Sequence, residues 1–397
     1  MKRITLCAVV CLVLCAAAWG DDWPHWGGPN WNGVSAETTW KPEALSKGPK
    51  VLWETNVGNG YSAMAVTGTR LYTMGNTKNK DAVFCLNADD GKEIWKHTYP
   101  CQGGQYPGPR STPTVEDGRI YTVSYEGHVM CLSEKSGNEI WKRNLTLEFG
   151  TKLPKWGIAC SAVIEGDMVL INANTSGIAL DKKTGKKIWS SDGGIGGYAS
   201  AVVFDDSGKR CAAIFGEKAV YVVDVKTGKK LSSYPWETGH DVNAADPIFS
   251  GGKLFISSGY KKGCALLDIS QPVAKEVWRS RDMANHFGTC VLVKGHLYGI
   301  SGNAGQGWLQ CLEFKSGKKK WSEKLGFGAW TAAGDNLIVL TEKGVLIVVE
   351  ADPSGYKEIA VGKALKPKGK CWTAPVLANG RIYCRSSSGQ LVCIDVK

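Results

Sequence analysis

Residues 168–189 read MVLINANTSGIALDKKTGKKIW, and this stretch decides the fold. Two short runs of apolar residues, MVLI and IAL, flank a polar turn. A second turn, DKKTGKK, then leads into a strand that ends at Trp189. Gly185 stands where a tight turn needs positive φ. Asp181, ahead of it, is placed to accept hydrogen bonds from the turn amides. The same grammar returns at 120–141 (IYTVSYEGHVMCLSEKSGNEIW), 296–321 (HLYGISGNAGQGWLQCLEFKSGKKKW), 70–95 and 253–278. Weaker copies lie at 209–231, where Asp224 and Gly228 repeat the turn, and at 336–361 and 381–397. That makes eight copies. A further strand and turn precede six of them: SAMAVTG, STPTVEDG, SAVIEGD, DPIFSGG, TCVLVKG and TAPVLANG. Each unit is therefore four short antiparallel strands, the composition of a propeller blade.

The closing position of successive units falls at Trp95, Trp141, Trp189, Ser232, Trp278, Trp321 and Ile359, at spacings of 38 to 48 residues. The last copy stops at IDVK without its closing strand. VLWETNVG at 51–58 carries Trp53 at the matching place. The expectation is an all-β, eight-bladed β-propeller of four-stranded antiparallel blades. The N-terminal strand completes the last blade, with Trp53 in the same sheet as Ile394. Such closure leaves no wide unpaired edge.

Residues 1–20, MKRITLCAVVCLVLCAAAWG, join two cations to a short apolar run and small residues before Asp21. This reads as a signal peptide cut near Gly20, which places the mature chain in the periplasm or outside the cell. Lipidation at Cys15 would want a small residue where Leu14 stands. No later stretch is long and apolar enough to span a bilayer, so no integral membrane protein is expected. Residues 21–50 carry Trp23, Trp26, Trp31 and Trp40. They are expected to pack on the propeller of 51–397 as an ordered arm, with partner binding as the alternative.

Of 14 cysteines, Cys7, Cys11 and Cys15 fall in the signal, which leaves an odd number. Cys85, Cys131, Cys311 and Cys393 recur at one place in the repeat and suit core packing. Cys384 and Cys393 flank a hairpin turn and are read as facing each other, as packed thiols or as a disulfide. The net charge of +11 sits largely in lysine-rich turns around a rim, a solvated face. No nucleic-acid motif accompanies it, and no nucleic-acid partner is expected.

Ala179 to Trp189 also carries Ala-x-Asp-x-x-Thr-Gly-x-x-x-Trp, which resembles the repeat of the pyrroloquinoline-quinone (PQQ) dependent alcohol dehydrogenases. The leader WPHWGGPNWNGVS resembles that of exported bacterial PQQ-like repeat proteins. Size and repeat are similar to the propeller-type outer-membrane assembly lipoproteins (BamB). The resemblance covers nearly all of 51–397. It implies an eight-bladed ring with Trp53, Trp95, Trp141, Trp189, Trp278 and Trp321 docking between blades. In the dehydrogenases the funnel holds the quinone with a Ca²⁺ ion, ligating carboxylates, a general-base Asp and often a disulfide between adjacent cysteines. Here no two cysteines adjoin, and the enclosing loops are mostly absent.

Loops between blades, with the middle hairpins, would form the funnel face. Tyr106, Arg110, Trp156, Tyr198, His240, Asp241, Asn243, His286, Trp330 and Trp372 fall on them, and Asp246 lies near the start of an inner strand. Aromatics with a few polar groups around a concave mouth suit a ligand or a peptide hot spot; they could equally plug the funnel. His240, Asp241 and His286 are too scattered to define a metal site, and no motif of a catalytic nucleophile or zinc enzyme occurs. The expectation is a monomeric, non-catalytic exported scaffold that binds a protein partner or small ligand at its funnel face, with no catalytic residue, cofactor or metal assigned. The alternatives are a minimal PQQ- and calcium-dependent oxidoreductase, with Asp241 and Asp246 as the nearest carboxylates, and a subunit of envelope assembly.

Overall fold

The computed structural model describes residues 22–397; the expected signal peptide and Cys7, Cys11 and Cys15 lie outside the described residues. Eight antiparallel sheets follow one another along the chain. Blades 1 to 7 occupy 65–100, 114–144, 163–190, 202–235, 248–280, 291–324 and 328–363. Blade 8 takes three strands from 376–395 and its outer strand from Lys50–Asn56. There Val51 pairs with Ile394 and Trp53 with Cys393. The fold is thus an eight-bladed β-propeller, closed by pairing the two ends of the ring in one sheet.

The repeat motif explains the seams. Asp181 Oδ1 accepts from the backbone N–H of Lys183 and Thr184 and from the Thr184 hydroxyl. Gly185 has φ +70°, and a Cβ there would sit 2.6 Å from the ring of Trp141 in the preceding blade. Glycine is needed twice over, for the turn and for the incoming indole. Gly91, Gly137, Gly228 and Gly317 receive Trp53, Trp95, Trp189 and Trp278 in the same way. Each docked indole also donates to a carbonyl of the next blade: Trp53 to Ala88, Trp95 to Glu134, Trp141 to Lys182, Trp189 to Val225, Trp278 to Phe314 and Trp321 to Asp352. In blade 4, Ser232 makes the equivalent polar link to the Gln271 carbonyl at 2.6 Å.

Two expectations are corrected. In every outer strand one bulged residue precedes the docking position. In blade 7 the bulge falls on Ile359 itself, between Glu358 and Ala360, so Ala360 is the docking residue and Ile359 faces outward. Tyr383 pairs with Cys393, and Cys384 with Val392. Neighbouring strand residues point to opposite faces. Cys384 therefore packs with Cys371 and Leu377, while Cys393 packs with Trp53 and Tyr383. All 11 cysteines of the described residues are buried free thiols.

The arm follows the innermost strands. Trp23 exchanges both backbone hydrogen bonds with Val66 of blade 1, and Pro24 accepts from Val115 of blade 2. Val34–Ser35 adds a parallel strand to blade 7, pairing with Ala332 and Ala333. Glu37 accepts from Gly380 N of blade 8. The seam from blade 7 to blade 8 lacks an indole, and the arm fills it. Trp40 and Leu45 pack with Ala360 and Val396, and Lys41 N donates to the Val396 carbonyl at 2.7 Å.

Candidate functional site

Two residues before the inner strands of blades 1 to 6, each blade is hydrogen-bonded to the next. Ala63 N donates to Thr112 Oγ1, Thr112 N to Ser161 Oγ, Ser161 N to Ser200 Oγ, Ser200 N to Asp246 Oδ1 and Asp246 N to Thr289 Oγ1. This belt ties blades 1 to 6 together. Asp246 stands where the neighbouring blades use a hydroxyl, and its second oxygen accepts Trp26 Nε1 at 2.5 Å. The carboxylate thereby bolts the arm under the channel. Desolvation pushes its pKa up to about 6, against the stabilising bonds from Trp26, Ser200 and Thr289.

Above this floor lies a cavity of about 380 Å³. Its wall is a chain of rings: Trp156 meets Tyr106 at 5.6 Å, Tyr106 meets Trp372 at 6.4 Å, and Trp372 meets Phe287 at 5.2 Å. Phe287 stacks on His286 at 3.8 Å, and His286 meets Tyr260 at 4.6 Å. Tyr61 stacks on Trp372 from the other side at 5.7 Å. Burial pushes the His286 pKa down to about 4, assisted by His240, so its ring is neutral at physiological pH. Among the described residues, neither ring nitrogen of His286 has a hydrogen-bond partner.

Arg110 is the cation of the lining. Its guanidinium donates to the Gly108 and Tyr106 carbonyls at 2.8 and 3.0 Å and lies 4.9 Å from the Tyr125 ring centre. Among the described residues it forms no salt bridge with any carboxylate. Burial lowers its pKa from the usual arginine value, opposed by nearby tyrosines. Among the described residues Asp246 is the one acidic residue of the lining, and both its oxygens are already bonded.

Of the residues read from sequence, Tyr106, Arg110, Trp156, Tyr198, Asp246, His286 and Trp372 line this cavity. Four do not. His240 is exposed, its ring 4.5 Å from that of Tyr260. Asp241 is an exposed turn residue at φ +55°. Asn243 is fully buried, donating to the carbonyls of Gly216, Glu217 and Trp236. Trp330 lies below the floor, in a smaller space shared with Trp23, Trp26 and Trp31. Sequence reasoning missed Trp26, Tyr61, Tyr260, Phe287 and Asn303. Phe287 adjoins a residue that was chosen, and Tyr260 and Asn303 stand on middle hairpins. Trp26 reaches the cavity only through the path of the arm.

The sequence pattern of the family described as outer membrane protein assembly factor BamB matches residues 43–144 and 80–323. Among solved structures, BamB from Moraxella catarrhalis is 15% identical, covers 87% of this chain and 99% of its own, and has a TM-score of 0.66. The quinohemoprotein alcohol dehydrogenase from Comamonas testosteroni is 14% identical, covers 95% of this chain and 80% of its own, and reaches 0.71. The computationally designed protein Ika8 is 11% identical, covers 87% of this chain and 100% of its own, and reaches 0.61. No curated protein sequence matches the chain. At such identities a likeness speaks for the fold, and a fold hosts many functions.

Proposed function

The chain belongs to the family described as outer membrane protein assembly factor BamB, and from that premise we propose a non-catalytic, exported binding propeller whose funnel mouth takes a carboxylate-bearing ligand. The ligand is a small molecule or a segment of a partner protein. One observation carries the reading: Arg110 lies in a concave aromatic mouth and, among the described residues, forms no salt bridge with a carboxylate. A guanidinium binds carboxylates through two parallel hydrogen bonds, and the flanking rings supply flat apolar contact.

The cavity donors do not fit a calcium–quinone pair. Calcium takes roughly six to eight oxygen ligands, several from carboxylates. Asp246 is the one carboxylate of the lining, and Trp26 and Ser200 hold its oxygens. Asp241, the other carboxylate weighed from sequence, does not line the cavity.

The test is a titration with benzoate and its neutral counterpart benzamide, followed by tryptophan fluorescence. Benzoate should bind at least about tenfold tighter, a difference of about 1.4 kcal/mol, and Arg110→Gln should erase the preference. Equal affinity for the two probes would sink the reading, as would dye-linked alcohol oxidation on adding PQQ and Ca²⁺. The family favours a second reading, a subunit of envelope assembly, which co-purification with outer-membrane proteins would separate from a free binder.

A further inference from the structure

Next to the funnel, a second group of side chains has no part in the mouth. Cys101 leaves the outer strand of blade 1, and Glu126 and His128 stand on the middle hairpin of blade 2. One donor atom from each, the Cys101 thiol, a Glu126 carboxylate oxygen and a His128 ring nitrogen, lies within 4.8 Å of the other two. We propose that Cys101, Glu126 and His128 form a site for a divalent transition metal, best matched to Zn²⁺, with a fourth position open to solvent or to Asp81.

The donor set decides the metal. Thiolate with imidazole suits zinc and excludes the hard cations, which take oxygen. Tetrahedral Zn–S and Zn–N bonds of about 2.0–2.3 Å set donors about 3.5 Å apart, so these three need to close by roughly an ångström.

Three further observations point the same way. Cys101 is 2% exposed, and its Sγ makes a long 3.8 Å contact to the carbonyl of the next residue and faces the Asp81 carboxyl. His128 Nδ1 lies 3.1 Å from Ser124 Oγ, which also receives His128 N at 2.9 Å. That contact fixes the ring and leaves Nε2 for a metal, the arrangement that ligating histidines use. Asp81 packs beside Cys101, is 1% exposed, and is held by Asn76 Nδ2 at 2.7 Å. Neither Asp81 nor Glu126 forms a salt bridge among the described residues. Burying the charged Asp81 carboxylate is costly, and a nearby dication would lower that cost. The metal would also tie blade 1 to blade 2 where the loop carrying Arg110 begins. The site stands independently of what the funnel binds.

Cobalt(II) is the probe, because a thiolate ligand gives it a charge-transfer band in the near ultraviolet. Reduced, chelator-treated full-length protein should bind one equivalent with that band, and zinc should displace it. Cys101→Ser should abolish the band. His128→Gln and Glu126→Gln should keep it but weaken cobalt binding at least about tenfold, with unchanged circular dichroism. Absence of the band in the parent protein overturns the proposal. So does its survival in Cys101→Ser, or parental affinity in His128→Gln. Should Cys101→Ser not fold, the other two variants decide.

Discussion

At the rim, an indole such as Trp141 covers the turn glycine of the next blade and gives its N–H to a carbonyl there. At the funnel mouth, Trp156 and Trp372 are only partly buried; Trp156 meets Tyr106 edge-on, Trp372 stacks on Tyr61 and meets Phe287 tilted, and Trp372 Nε1 reaches Glu342 at 3.3 Å. Every rim indole gives its N–H to a carbonyl of the next blade, and five of the six also lie against a turn glycine there. The mouth rings keep surface for something else. The contrast separates what holds the ring together from what the ring presents, and substitutions in the two regions should part along the same line.

The largest effect belongs to the rim. Trp189→Ala removes a buried indole, its bond to the Val225 carbonyl and the cover over Gly228. It should cost about 3–5 kcal/mol in urea unfolding. Trp156→Ala should cost no more than about 1 kcal/mol while weakening benzoate binding. Equal losses for the two would erase the distinction between rim and mouth.

Gly228→Ala attacks the same seam from the other partner. At φ +69°, with Trp189 ring atoms 2.5 Å from the new Cβ, it should cost about 1–3 kcal/mol. Gly208→Ala has a similar φ of +77° but open space around the Cβ. It should carry the backbone part alone, about 1 kcal/mol. Matching losses at the two glycines would show that the docked indole gives way freely.

The rim was legible because one turn, one glycine and one indole recur with the blade period, so each copy corrects the reading of the others. Its errors came from single-residue register. The bulge in blade 7 moved the docking role from Ile359 to Ala360, and alternation along the strand sent Cys384 and Cys393 to opposite faces. At the mouth, knowing which loops surround the axis was enough to find Tyr106, Arg110, Trp156 and Trp372. It did not reveal that Asn243 turns inward to satisfy backbone carbonyls. Nor did any local pattern place Trp26, whose position depends on where the arm crosses the inner strands. Asp246 showed in the sequence only as an acid before an inner strand. Its meaning needed the belt of hydroxyls in the neighbouring blades.

A pH-dependent effect joins the two regions through that residue. In the folded chain burial pushes the Asp246 carboxyl up to a pKa of about 6, from its ordinary value of 3.8. Below the unfolded value both states are protonated, and the native state carries no penalty. Between about 4 and about 6 the folded chain holds a proton that the unfolded chain has released. Above the folded value the native state must keep a desolvated charge. Stability owed to this group is therefore present in acid and falls as pH rises from about 4 to about 6, by about 1–3 kcal/mol. Asp246→Asn should flatten that window while leaving the rim seams intact. Trp26→Phe removes a hydrogen bond to the ionised form and should move the window upward. A parental slope surviving in Asp246→Asn would assign the titration to another group and leave the bolt beneath the mouth without a measurable role.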